Sequence, residues 1–347
     1  MAPEICDCDS IVVFRRARGV QHVSTGAMNS VPPSSTKIGV LCAIGAATAF
    51  SLNDMTIKFL SGDYPLHQIV FVRATIGLIL TCVVFTQLEG GLKLRTKNPF
   101  LHMLRAGMLV LANVSFFTSI ASMPLADATA IFFVSPLLIT GMSVIFLGEK
   151  VGPRRWACVL IGLVGVIIIV GPGQDSFQVA AILPAVAALC YGATHMLTRR
   201  MRAMDSAATM AIYIQLAFVV FSGSFGLIAG DGAFLASDNP SLVFLLSAWT
   251  WPPLADVGVM ALTGVASATG GYLITQAYRM SEAGLVAPFE YLALIFAIIW
   301  GFLIWGEVPT VIVGLGIALV LASGLYLALR EAKLGARPSA KQTSAQR

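Results

Sequence analysis

This sequence predicts an all-α integral membrane protein of ten transmembrane helices, arranged as two inverted five-helix repeats with both termini on the cytoplasmic side. Three observations carry that reading. Of 347 residues, 57% are hydrophobic and 11% charged, and the mean hydropathy is +0.84; an average soluble domain holds roughly 45–50% apolar and about 25% charged residues. Residues 121–151 (ASMPLADATAIFFVSPLLITGMSVIFLGEKV) are echoed by residues 277–308 (AYRMSEAGLVAPFEYLALIFAIIWGFLIWGEV). Each stretch has a polar break, a long apolar run and a closing Gly-Glu, at Gly148-Glu149 and Gly306-Glu307. The third observation, the placement of charge, fixes the number of crossings.

Residues 1–37 carry Arg15, Arg16, Arg18 and a Ser/Pro run and read as a disordered cytoplasmic tail. No apolar stretch with a small-residue cleavage site follows the basic cluster, so it is not a signal peptide. Met28 is a candidate start of translation, which intact mass decides. Cys6-x-Cys8 lacks a second ligand pair, so no metal site is expected. Cys42, Cys82, Cys158 and Cys190 stand singly in apolar runs, as small hydrophobes.

Helices are expected at 38–60, 66–88, 103–122, 127–147 and 156–172, making a first repeat over 38–172. The second repeat, 178–329, holds helices at 178–198, 207–229, 256–278, 284–305 and 309–329, and residues 330–347 form a second cytoplasmic tail. Backbone groups in lipid must be satisfied within each span, which leaves helix as the only choice for these runs. A looser echo, FSLNDMTIK at 50–58 against CYGATHMLTR at 190–199, sets Asp54 opposite His195 and Lys58 opposite Arg199. Glycines in the fifth, eighth and tenth helices, among them Gly162, Gly165, Gly264, Gly270, Gly314 and Gly316, allow close helix packing.

With that map, alternate connections hold 20 of the 22 Lys and Arg, Arg105 included, and the opposite connections hold none. The latter carry Asp63, Asp175, Asp231, Asp238 and Glu307, with Asp256 at the start of the eighth helix. Basic residues mark the cytoplasmic side, and five crossings per half invert the second copy. Glu149 then faces the cytoplasm and Glu307 the outside. The long outer connection, 230–256, with Trp249 and Trp251 beside Pro252-Pro253, reads as an interfacial segment anchored by tryptophans rather than a substrate lid.

The two remaining cations are Lys58 and Arg73. Asp54 lies one turn before Lys58 on the same face, and Asp54 and Arg73 fall at similar depth in neighbouring spans. Charges in a bilayer cost about 2.5 kcal/mol or more each and face one another or an aqueous cavity. Two readings stand: a buried Asp54–Arg73 clamp with Lys58 reaching to the outer surface, or a polar wall of a substrate path, with Asn53 adding an amide. Glu290 follows Pro288, which frees a backbone carbonyl. Its carboxylate reads either as a partner of Arg279 or as a contact for a substrate amine or a proton, and Tyr291 beside it offers a hydroxyl and a ring. Pro136 marks the fourth helix, which has no acid at the matching level. Asp127 favours that helix's N-terminus. The third and eighth helices carry Asn113, Gln276, Tyr272, Tyr278, Phe116 and Phe117, which read as packing or as a binding box, and His195 and Gln215 read as helix–helix hydrogen bonds.

No GxxxxGK[S/T] is present to cradle ATP, and no HExxH or GxSxG for hydrolysis. The net charge of +5 reflects cytoplasmic loops rather than a nucleic-acid partner. No cofactor, metal or catalytic residue is expected; the partners are a small-molecule substrate and membrane lipids, with the oligomeric state left open. A secondary transporter fits best, with a non-transporting membrane sensor or a membrane enzyme as the rival class.

Residues 38–330 resemble the EamA-type transporters of the drug/metabolite transporter superfamily. The likeness rests on the paired halves, Asn53-Asp54-x3-Lys58 with Arg73, Ser135-Pro136 followed by Gly148-Glu149, and Gly306-Glu307. It implies a ten-helix bundle with a central cavity that moves small metabolites across the bacterial inner membrane. That family includes exporters of amino acids and drugs and importers of riboflavin and S-adenosylmethionine. The NDxxxK pattern, Arg73 and APFEYLAL are most similar to the importers. The expectation is therefore uptake of a heterocyclic metabolite, with export of amino acids or drugs as the alternative. The cavity would be lined by Asn53, Asp54, Arg73, Asn113, Gln276, Glu290 and Tyr291.

Overall fold

The computed structural model describes residues 33–85, 87, 96, 98–135, 137–139, 141–142, 152–170, 179–201, 207–235, 238–280 and 289–335. Cys6, Cys8, Met28, Pro136, Gly148, Glu149, Asp175 and Pro288, together with most of the basic residues assigned to connections, lie outside the described residues.

Every regular element among the described residues is helical: α1 (Pro33–Leu60), α2 (Leu66–Leu80), α3 (Pro99–Ile120), α4 (Leu125–Phe132), α5 (Pro153–Val170), α6 (Ile182–Met201), α7 (Ala207–Ala229), α8 (Pro240–Leu246), α9 (Leu254–Met280), α10 (Leu292–Trp305) and α11 (Val311–Gly335). A described helix overlaps each of the ten expected runs. Five are long and apolar enough to cross a membrane: Ile38–Leu60, Leu66–Val84, Pro99–Ile120, Ala208–Ala229 and Leu254–Ile274. Five shorter apolar helices accompany them.

Local chemistry sets the ends. Pro65 stands as N-cap of α2 and Pro99 opens α3, positions where the missing N–H costs nothing. A π-turn over Thr81–Phe85 extends α2. The fourth helix is not continuous: α4 ends at Phe132, and Phe133 adopts φ −70° and ψ 4°. At the end of α10, Gly306 is left-handed (φ 66°). Its N–H donates to Phe302 and that of Glu307 to Gly301, a Schellman close that needs glycine. That turn directs Glu307 back toward the bundle.

The helices interlock across the two halves. α1 packs mainly on α9, and α3 on α6; α2 meets α7, α5 meets α11 and α4 meets α10. Advancing each spanning helix by five places returns the same set of principal neighbours. Small residues permit the closest approach, as at Gly165 and Gly316, where a Cβ on either would stand 2.8 Å from the other's carbonyl oxygen. The largest buried cluster joins Ile57, Leu60, Ile69, Phe116, Phe117, Leu125 and Phe244. A second gathers Ile131, Leu137, Val159, Tyr291, Leu294 and Val320 around α4, α5, α10 and α11.

The connection at 230–256 holds α8, which the sequence reading leaves as loop. It is pinned to the bundle by polar contacts: Gln68 donates to the Thr250 carbonyl at 2.6 Å and accepts from Thr250 N at 3.2 Å, and Ser241 donates to the Thr118 carbonyl. Trp249 packs over His67 and Phe71, while Trp251 is fully exposed.

Candidate functional site

Arg73 is buried inside the bundle, 3% exposed. One guanidinium nitrogen donates to Asn113 Oδ1 at 3.0 Å, and another reaches Asn53 Oδ1 at 3.5 Å. Asn53 Nδ2 donates in turn to Asp54 Oδ1 at 2.9 Å. The rings of Phe117 and Phe218 flank the cation at 5.5 and 5.3 Å from their centroids. Four of the seven expected site residues thus form one hydrogen-bonded chain across α1, α2 and α3. The direct Asp54–Arg73 clamp is not formed, because Asn53 intervenes and its amide serves both charges. A primary amide can do this, accepting at its oxygen and donating at its nitrogen.

The other three expected residues do not join this cluster. α9 passes Arg73 at Gly264, where an added Cβ would stand 2.9 Å from the Arg73 carbonyl oxygen. Gln276 is about 18 Å farther along that helix at 1.5 Å per residue, next to Ala277, which packs with Ala43 and Phe289. Glu290 and Tyr291 open α10 in the opposite half of the bundle. Tyr291 is buried against Phe133, with centroids 5.0 Å apart. Glu290 is near enough for its charge to act on both Tyr291 and Tyr191.

An aromatic ladder joins the two groups. From Phe117 at the guanidinium it runs to Phe116 (5.3 Å), Phe132 (5.3 Å) and Tyr191 (5.1 Å), with His195 edge-on to Tyr191 at 4.4 Å. A branch leads from Phe132 through Phe133 to Tyr291. Phe132, Phe133 and Tyr191 are absent from the expected site. Single aromatics in apolar helices look like packing, and only the tertiary fold aligns them. The available signal was the echo of 50–58 in 190–199, which sets Tyr191 opposite Phe50.

Lys58 overturns a second expectation. It does not reach to the surface but is buried, at 8% exposure. Its ammonium pairs with Glu307 Oε1 at 2.5 Å, donates to the Met123 carbonyl at 3.2 Å and lies 4.8 Å from the Trp305 ring centroid. Glu307 Oε2 accepts the N–H of Leu125, the first residue of α4. Asp127 occupies the first turn of that helix as expected, but its free N–H is served by Glu307 from the far half of the chain. Arg105 likewise is no loop charge. It is buried within α3 and donates to Thr198 Oγ1 at 2.7 Å and to the Met210 carbonyl at 3.3 Å. Tyr64, in the turn between α1 and α2, donates to Asp256 at 2.5 Å, and this bond pushes the phenol up to about 12. Among the described residues no cluster of three or more His, Cys, Asp or Glu has the makings of a metal site.

Buried charges joined by hydrogen bonds and rings run between the helices, and comparison with known proteins shows what the chain resembles. Residues 37–171 match the EamA-like transporter family. The resemblance to EamA-type transporters drawn from the sequence is borne out by this match and by relatives that are named transporters. It is 27% identical to a riboflavin transporter of Rhizobium johnstonii, over 89% of this chain and 97% of the relative. A pseudopaline exporter of Pseudomonas aeruginosa is 28% identical over 84% of this chain and 93% of its own length. An S-adenosylmethionine uptake transporter of Rickettsia bellii is 23% identical over 85% and 95%. A solved crystal structure superposes with a TM-score of 0.58, covering 86% of this chain and 99% of the other at 20% identity, a likeness of fold.

Proposed function

We propose that this protein is a secondary transporter that takes up a small heterocyclic metabolite, of the riboflavin or S-adenosylmethionine kind, across the bacterial inner membrane. The observation that carries this reading is the ladder of rings from Phe117 to Tyr191 and Tyr291, with Arg73 at one end and Glu290 beside the other. Rings stack on planar aromatic solutes, and charged groups at the two ends suit a molecule with separate polar and aromatic parts. Ionisable residues this deep are costly to the fold, which marks them as functional. The names of two relatives, a riboflavin transporter and an S-adenosylmethionine uptake transporter, point the same way.

The substrate contacts are Asn53, Asp54, Arg73 and Asn113 in the outer half, and Gln276, Glu290 and Tyr291 in the inner half, with Tyr191 added. The chain crosses the membrane ten times as two inverted repeats, 38–172 and 178–329, with the tails 1–37 and 330–347 in the cytoplasm. The charge distribution and the exchange of helix neighbours between halves support this topology.

Uptake of labelled riboflavin and S-adenosylmethionine by proteoliposomes, with and without a pH gradient, tests the reading. Saturable flux of either supports it. A folded protein that moves neither overturns the substrate assignment. Export is the second reading, favoured by the exporter relative at a similar identity; counterflow from preloaded vesicles separates the two.

A further inference from the structure

We infer that Lys58 and Glu307 form the latch of a gate at the end of the bundle where α1, α4 and α10 meet, closed in this structure and parted when that end opens. This deepens the transporter reading and rests on it. Three segments from both halves converge on the pair. Lys58 is on the last turn of α1 and Glu307 just beyond α10, and their remaining hydrogen-bonding capacity goes to the turn between α3 and α4, at the Met123 carbonyl and the Leu125 N–H. It is an ion pair that ties the two halves of the chain together.

A static core is poorly served by such a contact, since a well-packed apolar cluster of the same volume is as good or better. A contact that must separate is another matter. When it parts, the ammonium and carboxylate regain water, whereas a parted apolar seal exposes hydrocarbon. The exposures suit this position: Lys58 is 8% and Glu307 23% exposed, one ion inside and one at the rim. The geometry also connects the latch to the substrate contacts. Lys58 lies one turn beyond Asp54 on α1, so a swing of that end strains the Asp54–Asn53–Arg73 chain. Deeper in, Trp300 of α10 donates to Ser51 of α1 at 2.8 Å. That bond holds the two helices together away from the gate and serves as an internal control.

The test uses a reporter thiol behind the latch. Ser119 is fully buried, and its carbonyl accepts the N–H of Met123; Ser119→Cys is nearly isosteric. Full-length protein in sealed proteoliposomes is exposed to a membrane-impermeant maleimide, and labelling is counted as the increment over the chain without the reporter. Glu307→Ala and Lys58→Met are expected to raise the rate about tenfold or more, because removing one partner leaves an uncompensated charge in the closed state. Glu307→Gln, which keeps an acceptor for Leu125 N–H, should fall closer to the parent. Ser51→Ala should lower the melting temperature without changing the rate. Unchanged labelling in Glu307→Ala and Lys58→Met proteins that melt cooperatively overturns the latch, as does an equal rise in Ser51→Ala. Labelling needs no substrate. A parent protein that transports neither metabolite while the labelling pattern holds therefore refutes the substrate reading and leaves the latch standing.

Discussion

Arg73 donates to Asn113 at 3.0 Å but reaches Asp54 only through Asn53. The two charges are thus held one amide apart, close enough to interact and separate enough for each to keep hydrogen-bonding capacity. Arg73→Lys preserves the charge and removes the planar fork that serves two amides at once. The initial uptake rate is expected to fall about tenfold or more while the protein stays folded, as read by vesicle flux and size-exclusion chromatography. Asn113→Ala leaves a buried donor unpaired, at a cost of about 1–3 kcal/mol, and should lower the melting temperature as well as the flux.

Glu290 is close enough for its charge to act on Tyr191 of α6 and on Tyr291 at the start of α10. Glu290→Gln keeps the shape and removes the charge. Uptake is expected to be abolished, with little change in melting. A folded Gln variant that transports at the parental rate would remove Glu290 from the substrate contacts.

The glycines of α5 and α11 are not equivalent. Gly165→Ala sets a methyl 2.8 Å from the Gly316 carbonyl oxygen, backbone that must move, whereas Gly314→Ala meets open space. Overpacking of this kind costs about 1–3 kcal/mol. Thermal unfolding in detergent should show a lower midpoint for the first variant and no loss for the second.

The Tyr64 phenol is raised from 10.0 to about 12, first by its bond to Asp256 and then by burial and the acidic neighbours. A group whose folded pKa is raised stabilises fully below its unfolded value and loses that contribution as pH climbs through the folded one. The contact should hold up to about pH 10 and fail between pH 10 and 12. Tyr64→Phe should flatten that part of the stability profile, measured by melting across the alkaline range.

The helices were legible because hydropathy runs, prolines and the Gly-Glu close are local signals. Gly306 shows why: its left-handed turn is written in the residue itself. The outer polar cluster was legible too, since charges in apolar runs are conspicuous and counting residues from the helix ends put Asp54 and Arg73 level. Asn53's intermediary role was not, because it depends on rotamers. Gln276 was grouped with that cluster on the strength of its helix, but distance along α9 separates them. Lys58 with Glu307 was beyond reach, since nothing local links residues so far apart in the chain. Both had ordinary explanations at a surface. Tyr191 and Phe132 were hidden for a similar reason, being unremarkable until the fold lines them up.

The exchange of neighbours between halves bears on how the molecule is made. α1 finds its main partner in α9 and α3 finds its own in α6, so the helices α1 to α5 cannot complete their packing among themselves. They must wait in the bilayer, with Arg73 and Asp54 already inserted, until the second half emerges from the ribosome. A chain truncated after α5 would be stranded with its small-residue faces open to lipid. Two half-chains synthesised together would contain every contact of the whole, because the joint between them carries none of the principal ones.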